Sequence, residues 1–147
     1  MNIIKVLGIA AGVAATGLAS LAIANAGNVA ETSADSKDES LKTRRYQVDL
    51  KTFVEETERL ILALTTYGQN WRIISADVAE SSATVKAEVP VVFFTDDLEI
   101  SAKKEADKEE ITVDVRSASR VGKGDLGENR RHILQILKAL DEKFAGK

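Results

Sequence analysis

The chain has 147 residues, 44% of them hydrophobic and 29% charged, which is enough for one packed core and too few for two. A formal net charge of −3 lacks the basic footprint that neutralising a phosphate backbone requires, and zero cysteines exclude disulfides, thiolate metal sites, cysteine nucleophiles and a lipid-modified cysteine. With one histidine there is no basis for a histidine-rich metal centre, and neither a metal nor a cofactor is expected.

After Lys5 no charge appears until Glu31. Within that gap, Val6 to Ala26 is an uncharged run of 21 residues, seven of them Val, Leu or Ile, eight Ala and three Gly. Such a run acts either as a secretory signal, cut after Ala24 or Ala26, or as an uncleaved membrane anchor. The seven strong apolar residues contribute only about −2 to −4 kcal/mol to insertion, opposed by three glycines and three polar residues, which leans toward cleavage. Either way the protein is expected to be exported, to a periplasm or an equivalent lumen; in the second case residues 6–26 hold it to the membrane. Residues 27–43, GNVAETSADSKDESLKT, have almost no large apolar side chain and no period, and read as a flexible linker. The expected organisation is therefore 1–26 signal or anchor, 27–43 linker and 44–147 a single domain.

Arg45 to Val48 reads as a short strand leading to Asp49, a residue type that caps helices. Phe53, Val54, Thr57, Leu60, Ile61 and Leu64 recur at steps of three and four, gathering on one stripe of a helix that Gly68 is placed to stop. Trp71 to Ala76 has the β period. Ala83, Val85, Ala87 and Val89 alternate with Thr84, Lys86 and Glu88, giving one buried and one wet face, and Pro90, lacking an amide donor, belongs at a strand end, bulge or edge. Leu98, Ile100 and Ala102 form the next inward row, Lys104 to Lys108 a turn, and Ile111, Val113 and Val115 the last row. Asp125 with Glu128 three residues on has the form of a capping box before a helix striped by Ile133, Ile136, Leu137, Leu140 and Phe144. The order β-α-β-β-β-β-α predicts an α+β domain, a five-stranded antiparallel sheet with two helices packed on one face.

Polar residues concentrate where the last strand ends. Alternation past Val115 puts Ser117 and Ser119 on the core side and Arg116 and Arg120 on the solvent side. The two arginines can hold an anion between them or pair with Asp114, Glu88 or Glu99; for Arg116 a cross-strand ion pair is expected. Gly122-Lys123-Gly124 lacks the long glycine cradle and the Ser or Thr of a phosphate loop, so its glycines read as tight backbone geometry. Asp96 and Asp97 can share a proton or a cation, but an ion-pair network with Arg116, Arg120, Arg130 or Arg131, joining the sheet's end to the last helix, is the more attractive use. His132 with Ser117 or Ser119 and an aspartate supplies the residue types of a hydrolytic triad, without the sequence signals that accompany one.

The run VRSASRVGKGDLGENRRHI, with FFTDDLEI and WRIISAD upstream, carries the pattern Arg-Ser-x-Ser-Arg-x-Gly-x-x-Asp-x-Gly-x-Asn-Arg. It resembles the family called domain of unknown function 1499, over Tyr46 to Leu140. By that resemblance the signature positions are Asp96, Asp97, Arg116, Ser117, Ser119, Arg120, Gly122, Asp125, Gly127, Asn129 and Arg130. The resemblance implies a setting in bacterial envelopes or photosynthetic lineages and brings no activity with it. Two departures are visible: many members carry a cysteine-containing segment where this chain has Asp35 to Thr43, and an arginine is usual at His132. Together these readings predict a non-enzymatic envelope module that binds a protein partner or an anionic small ligand through Asp96, Asp97, Arg116, Ser117, Ser119, Arg120, Asp125, Asn129 and Arg130. The competing readings are a small hydrolase using Asp96/Asp97 or Ser117/Ser119, and a cluster that serves only as a structural ion-pair lock. Nucleic acid is not an expected partner.

Overall fold

Period-two alternation along the long strands places every second side chain on the same side of a sheet, and on that side the apolar set is buried. The structure, a computed structural model, describes residues 28–120 and 127–145. Its strands are β1 (Val29–Glu31), β2 (Arg44–Tyr46), β3 (Thr65–Thr66), β4 (Gln69–Asn70), β5 (Arg72–Val78), β6 (Ser82–Val91), β7 (Phe94–Lys104) and β8 (Ile111–Ser119). The helices are α1 (Leu50–Leu62) and α2 (Glu128–Phe144). The main sheet is antiparallel in the order β1-β8-β7-β6-β5, and β2 shares the β1 flank of β8, pairing with its other end. The expected α+β architecture of five main strands and two helices is the observed one.

Both helices lie on the face that carries Val85, Ala87, Val89, Leu98, Ile100, Ala102, Ile111, Val113 and Val115, all buried. The stripe on α1 buries Phe53, Val54, Thr57 and Ile61, with Leu60 and Leu64 at its margin; α2 buries Ile133, Ile136, Leu137 and Leu140. Tyr46, Phe53 and Phe144 stack where β2 and the two helices meet, with ring centroids 5.5 to 6.3 Å apart. The Tyr46 hydroxyl donates to Asp141 at 2.7 Å, fixing the C-terminal turn of α2 to the sheet. Asp49 caps α1 as its residue type suggests, accepting from the Thr52 amide at 2.8 Å. Pro90 lies near the end of β6, beyond the last pairing with β5 at Arg72 and Glu88, so its missing donor interrupts no β5 rung.

Three expectations are corrected. Residues 28–43 are built into the fold rather than forming a linker. Val29, Ala30 and Glu31 pair with Ala118, Ser117 and Arg116, and the Thr32 and Thr43 hydroxyls both donate to Asp114, at 2.7 and 2.6 Å. A 3-10 turn at Glu39–Leu41, capped by Asp38, then meets α2 through an Arg130 to Asp38 bond of 3.0 Å. Backbone pairing and hydrogen bonds order this segment, and hydrophobicity carries no trace of them. Second, α1 ends at Leu62, and Gly68 instead makes the two-residue turn between β3 and β4, where Tyr67 and Gly68 have φ of +51° and +77°. Third, the N-cap of α2 is Gly127 rather than Asp125, at φ +82°, a conformation that glycine adopts without a Cβ penalty. The Glu128 carboxylate is engaged elsewhere, as described below. The signal or anchor at 1–26 and the candidate residues Gly122 and Asp125 lie outside the described residues.

The Ser40 hydroxyl and the Arg130 guanidinium hold the Asp38 carboxyl down to about 2. A folded value below the unfolded one means that this contact contributes its full stability above about pH 4 and loses it as the pH falls toward 2. In urea titrations across that range, Asp38→Asn is expected to show a shallower acid loss of stability than the parent chain; identical slopes would mean that the contact does not form in solution.

Candidate functional site

The signature residues meet at the end of the sheet where β8 stops and α2 starts, but the plane of the sheet divides them. Register pairs Asp96 with Ser119, Asp97 with Ala118, Leu98 with Ser117 and Glu99 with Arg116. Even positions of β7 and odd positions of β8 therefore face the helices, and their neighbours face the other way.

On the helix side the groups are mostly buried, and those around Asn129 are hydrogen-bonded to one another. Ser117, without exposed surface, donates its hydroxyl proton to Asn129 Oδ1 at 2.6 Å. Asn129 Nδ2 donates to the Asn28 carbonyl at 2.8 Å and to the Ser119 hydroxyl at 2.9 Å. Asn28 in turn accepts from the Ser119 amide at 3.1 Å. One turn further along α2, His132 lies between two carboxylates, its Nδ1 3.1 Å from Asp96 and its Nε2 3.0 Å from Glu128. The edge of this imidazole packs against Trp71, centroid to centroid 6.1 Å. The second oxygen of Glu128 accepts from the Tyr67 hydroxyl and from Arg131 at 2.8 Å. Burial pushes the Glu128 carboxyl up, but the bonds from Tyr67 and Arg131 outweigh it and leave the group below its ordinary value.

On the opposite side the groups are charged; Asp97, Arg120, Arg72 and Glu31 are open to solvent, whereas Glu88, Glu99 and Arg116 are largely covered. Arg120 grips Asp97 with Nε at 3.1 and 3.0 Å and Nη2 at 2.7 Å, and reaches Glu88, which also pairs with Arg72. These contacts raise Arg120, through Asp97 first and Glu88 second, and lower Glu88 through Arg120 and then Arg72. Next to them a row of alternating sign crosses the sheet, Lys86 opposite Glu99, Glu99 opposite Arg116 and Arg116 opposite Glu31, the last pair 3.7 Å apart. Burial raises Glu99, with Lys86 and Arg116 partly opposing it. Arg116 thus takes the cross-strand ion pair expected of it, with a partner in the segment expected to be a linker.

A family model for a protein of unknown function, DUF1499, matches residues 20–140. The chain belongs to the DUF1499 family. Its span includes β1 and the 3-10 turn as well as the other strands and α2 up to residue 140, so the family's region takes in the N-terminal segment that completes the sheet. No curated protein matches the chain.

Set against the family signature, the structure joins Ser117, Ser119 and Asn129 in one buried network, places Asp96 beside it, puts Asp97, Arg116 and Arg120 on the far side of the sheet, and sends Arg130 to Asp38. Adjacent aspartates facing opposite ways cannot share a proton or a cation. Among the described residues His132 and Ser117 do not form the order of a triad, since both nitrogens of His132 face carboxylates and the Ser117 proton goes to Asn129. A cleft of about 750 Å³ lies at the other end of the sheet, lined by Val48, Asp49, Lys104 and Glu110 among others, away from these hydroxyls. Sequence reasoning missed Asn28, Glu31 and Asp38 as partners of the signature; they sit in a segment without hydrophobic period, and only the pairing of β1 with β8 reveals them.

The two halves should respond differently to mutation. His132→Leu leaves the buried Asp96 carboxylate without the group that faces it, while Glu128 keeps Tyr67 and Arg131, and is expected to cost about 3–5 kcal/mol. Asn129→Ala strips partners from Ser117 and the Asn28 carbonyl and should cost roughly 2 kcal/mol or more. Arg120→Ala, at a half-exposed pair, should cost under about 1 kcal/mol. Denaturant midpoints measure all three, and equal small losses would contradict the division.

Proposed function

We propose that the protein is an exported, non-enzymatic envelope module that docks a protein partner on the charged outer face of its sheet, around Asp97, Arg116 and Arg120. One observation carries this reading: the signature polar residues separate into a sealed network under α2 and an exposed charge pattern on the opposite face. The buried half, Asp96, Ser117, Asn129 and His132, with the half-buried Ser119 beside it, favours a structural role for those groups. The Ser117 proton is already committed to Asn129, which counts against a hydrolase that uses it as nucleophile. The exposed half suits a protein surface of alternating charge better than a free anion, because the Arg120 guanidinium is already held by two carboxylates and every cation in the row has an anion beside it. Export rests on the uncharged run at 6–26, which leads the chain across a membrane and is either removed or retained.

A photo-crosslinking side chain at Ser101, on the outer face, tests the docking reading in a fractionated cell. The parent chain should give a discrete adduct in the envelope fraction. Arg120→Ala should lose that adduct while its melting temperature changes little, since exposed pairs of this kind contribute at most about 1 kcal/mol. Unchanged adducts in Arg120→Ala would overturn docking on this face, and recovery of the whole chain in the cytosol would overturn export.

A further inference from the structure

Four of the large hydrophobic side chains exposed among the described residues, Tyr67, Val92, Phe93 and Phe94, stand at one end of the molecule. Val92 and Phe93 form the two-residue turn of the β6–β7 hairpin, closed by the Val91 to Phe94 pair, and Phe93 is 87% exposed. Thr66 donates to the Pro90 carbonyl at 2.6 Å, which sets the β3–β4 turn and Tyr67 beside this tip. Turns of two residues are ordinarily made by Asn-Gly or Asp-Gly, and a β-branched residue at positive φ is strained; Val92 sits at φ +21°. A strained and fully apolar tip in water serves neither stability nor solubility, so its chemistry points to what it touches.

The chain path identifies the occupant. Because β1 runs antiparallel to β8, the chain enters the described fold at this same end: Asn28 accepts from the Ser119 amide, Ser119 is opposite Asp96, and Asp96 is three residues from Phe93. At about 3.3 Å per residue the tip extends roughly 10 Å past that level. Two residues upstream of Asn28, a span of at most about 7 Å, the uncharged run ends at Ala26. With that run in a bilayer, the tip has to lie at the bilayer surface. The run is a marginal span by composition, with three glycines and three polar residues among 21, and a second apolar contact adds to it as in anchors that use two weak signals. Aromatic rings are also the side chains that settle at the headgroup level, and the Tyr67 hydroxyl, bonded to Glu128, keeps its polar end on the domain.

We propose that Val92, Phe93 and Phe94, with Tyr67 beside them, form a lipid contact that seats the domain tip-first on the membrane to which residues 6–26 tether it. This goes beyond partner docking on the outer face and stands or falls separately from it, but it rests on the export reading in its second form, in which residues 6–26 are retained as an anchor and not cleaved.

The single tryptophan, Trp71, is buried and serves as the internal reference. The full chain, incorporated into phosphatidylcholine/phosphatidylglycerol vesicles brominated on the acyl chains, is compared as parent, Phe93→Trp and Ile74→Trp; Ile74 is an exposed residue of β5 away from the tip. The indole introduced by Phe93→Trp should shift to the blue and lose roughly half its emission to bromine, while Trp71 and the indole introduced by Ile74→Trp remain unquenched. An unquenched Phe93→Trp variant in a chain that resists alkaline extraction overturns the proposal. So does equal quenching of the Phe93→Trp and Ile74→Trp variants, or a lipid-free dimer that shields the Phe93→Trp indole, which would make a second copy the occupant. Membrane-fraction protein whose mass shows residues 1–26 removed also overturns the tethered arrangement.

Discussion

The carboxamide of Asn129 ties three elements of this fold together, and no other side-chain type could replace it without loss. It accepts one proton, from Ser117 on β8, and donates two, to the Asn28 carbonyl ahead of β1 and to Ser119 at the end of β8. An aspartate offers only acceptors, and a leucine of similar size offers nothing. Because these groups are buried, each broken bond leaves a polar atom without water, so the start of α2, the edge strand and the end of β8 hold their positions jointly or not at all.

The second constraint is strand parity. Asp96 and Asp97 are covalent neighbours with opposite circumstances: the first is buried against His132, the second lies in solvent against Arg120. Burying a carboxylate is tolerable only with a partner at hydrogen-bonding distance, which makes His132 part of the frame under α2. On the far face, charges alternate from strand to strand through Lys86, Glu99, Arg116 and Glu31, so no cation there stands far from an anion.

Most of the architecture was legible because burial on one face of an antiparallel sheet forces alternation, and alternation is visible in Ala83 to Val89, Leu98 to Ala102 and Ile111 to Val115. The α1 stripe and the Asp49 cap were legible for similar local reasons. Long-range pairing was not. Nothing in Val29 to Glu31 signals a strand except the partner it finds near residue 117, and nothing in Asp96 and Asp97 says which one turns inward until register is known. The spacing of Asp125 and Glu128 suggested a capping box, yet Glu128 is drawn to His132, Tyr67 and Arg131, and Gly127 supplies the turn into the helix. The candidate site was readable as a set of residues and unreadable as an arrangement, since sequence spacing does not say which side of a sheet a side chain occupies.

The placement of β1 beside β8 sets the order in which the domain can be completed. The earliest described strand to leave the ribosome has as its partner a strand about ninety residues later, and its anchoring asparagine on α2 later still. Contacts so distant in sequence close last, because the loop between them must be gathered first. A nascent chain holding only its first hundred residues has neither partner for that strand, so the N-terminal end stays open until β8 and the start of α2 have been made.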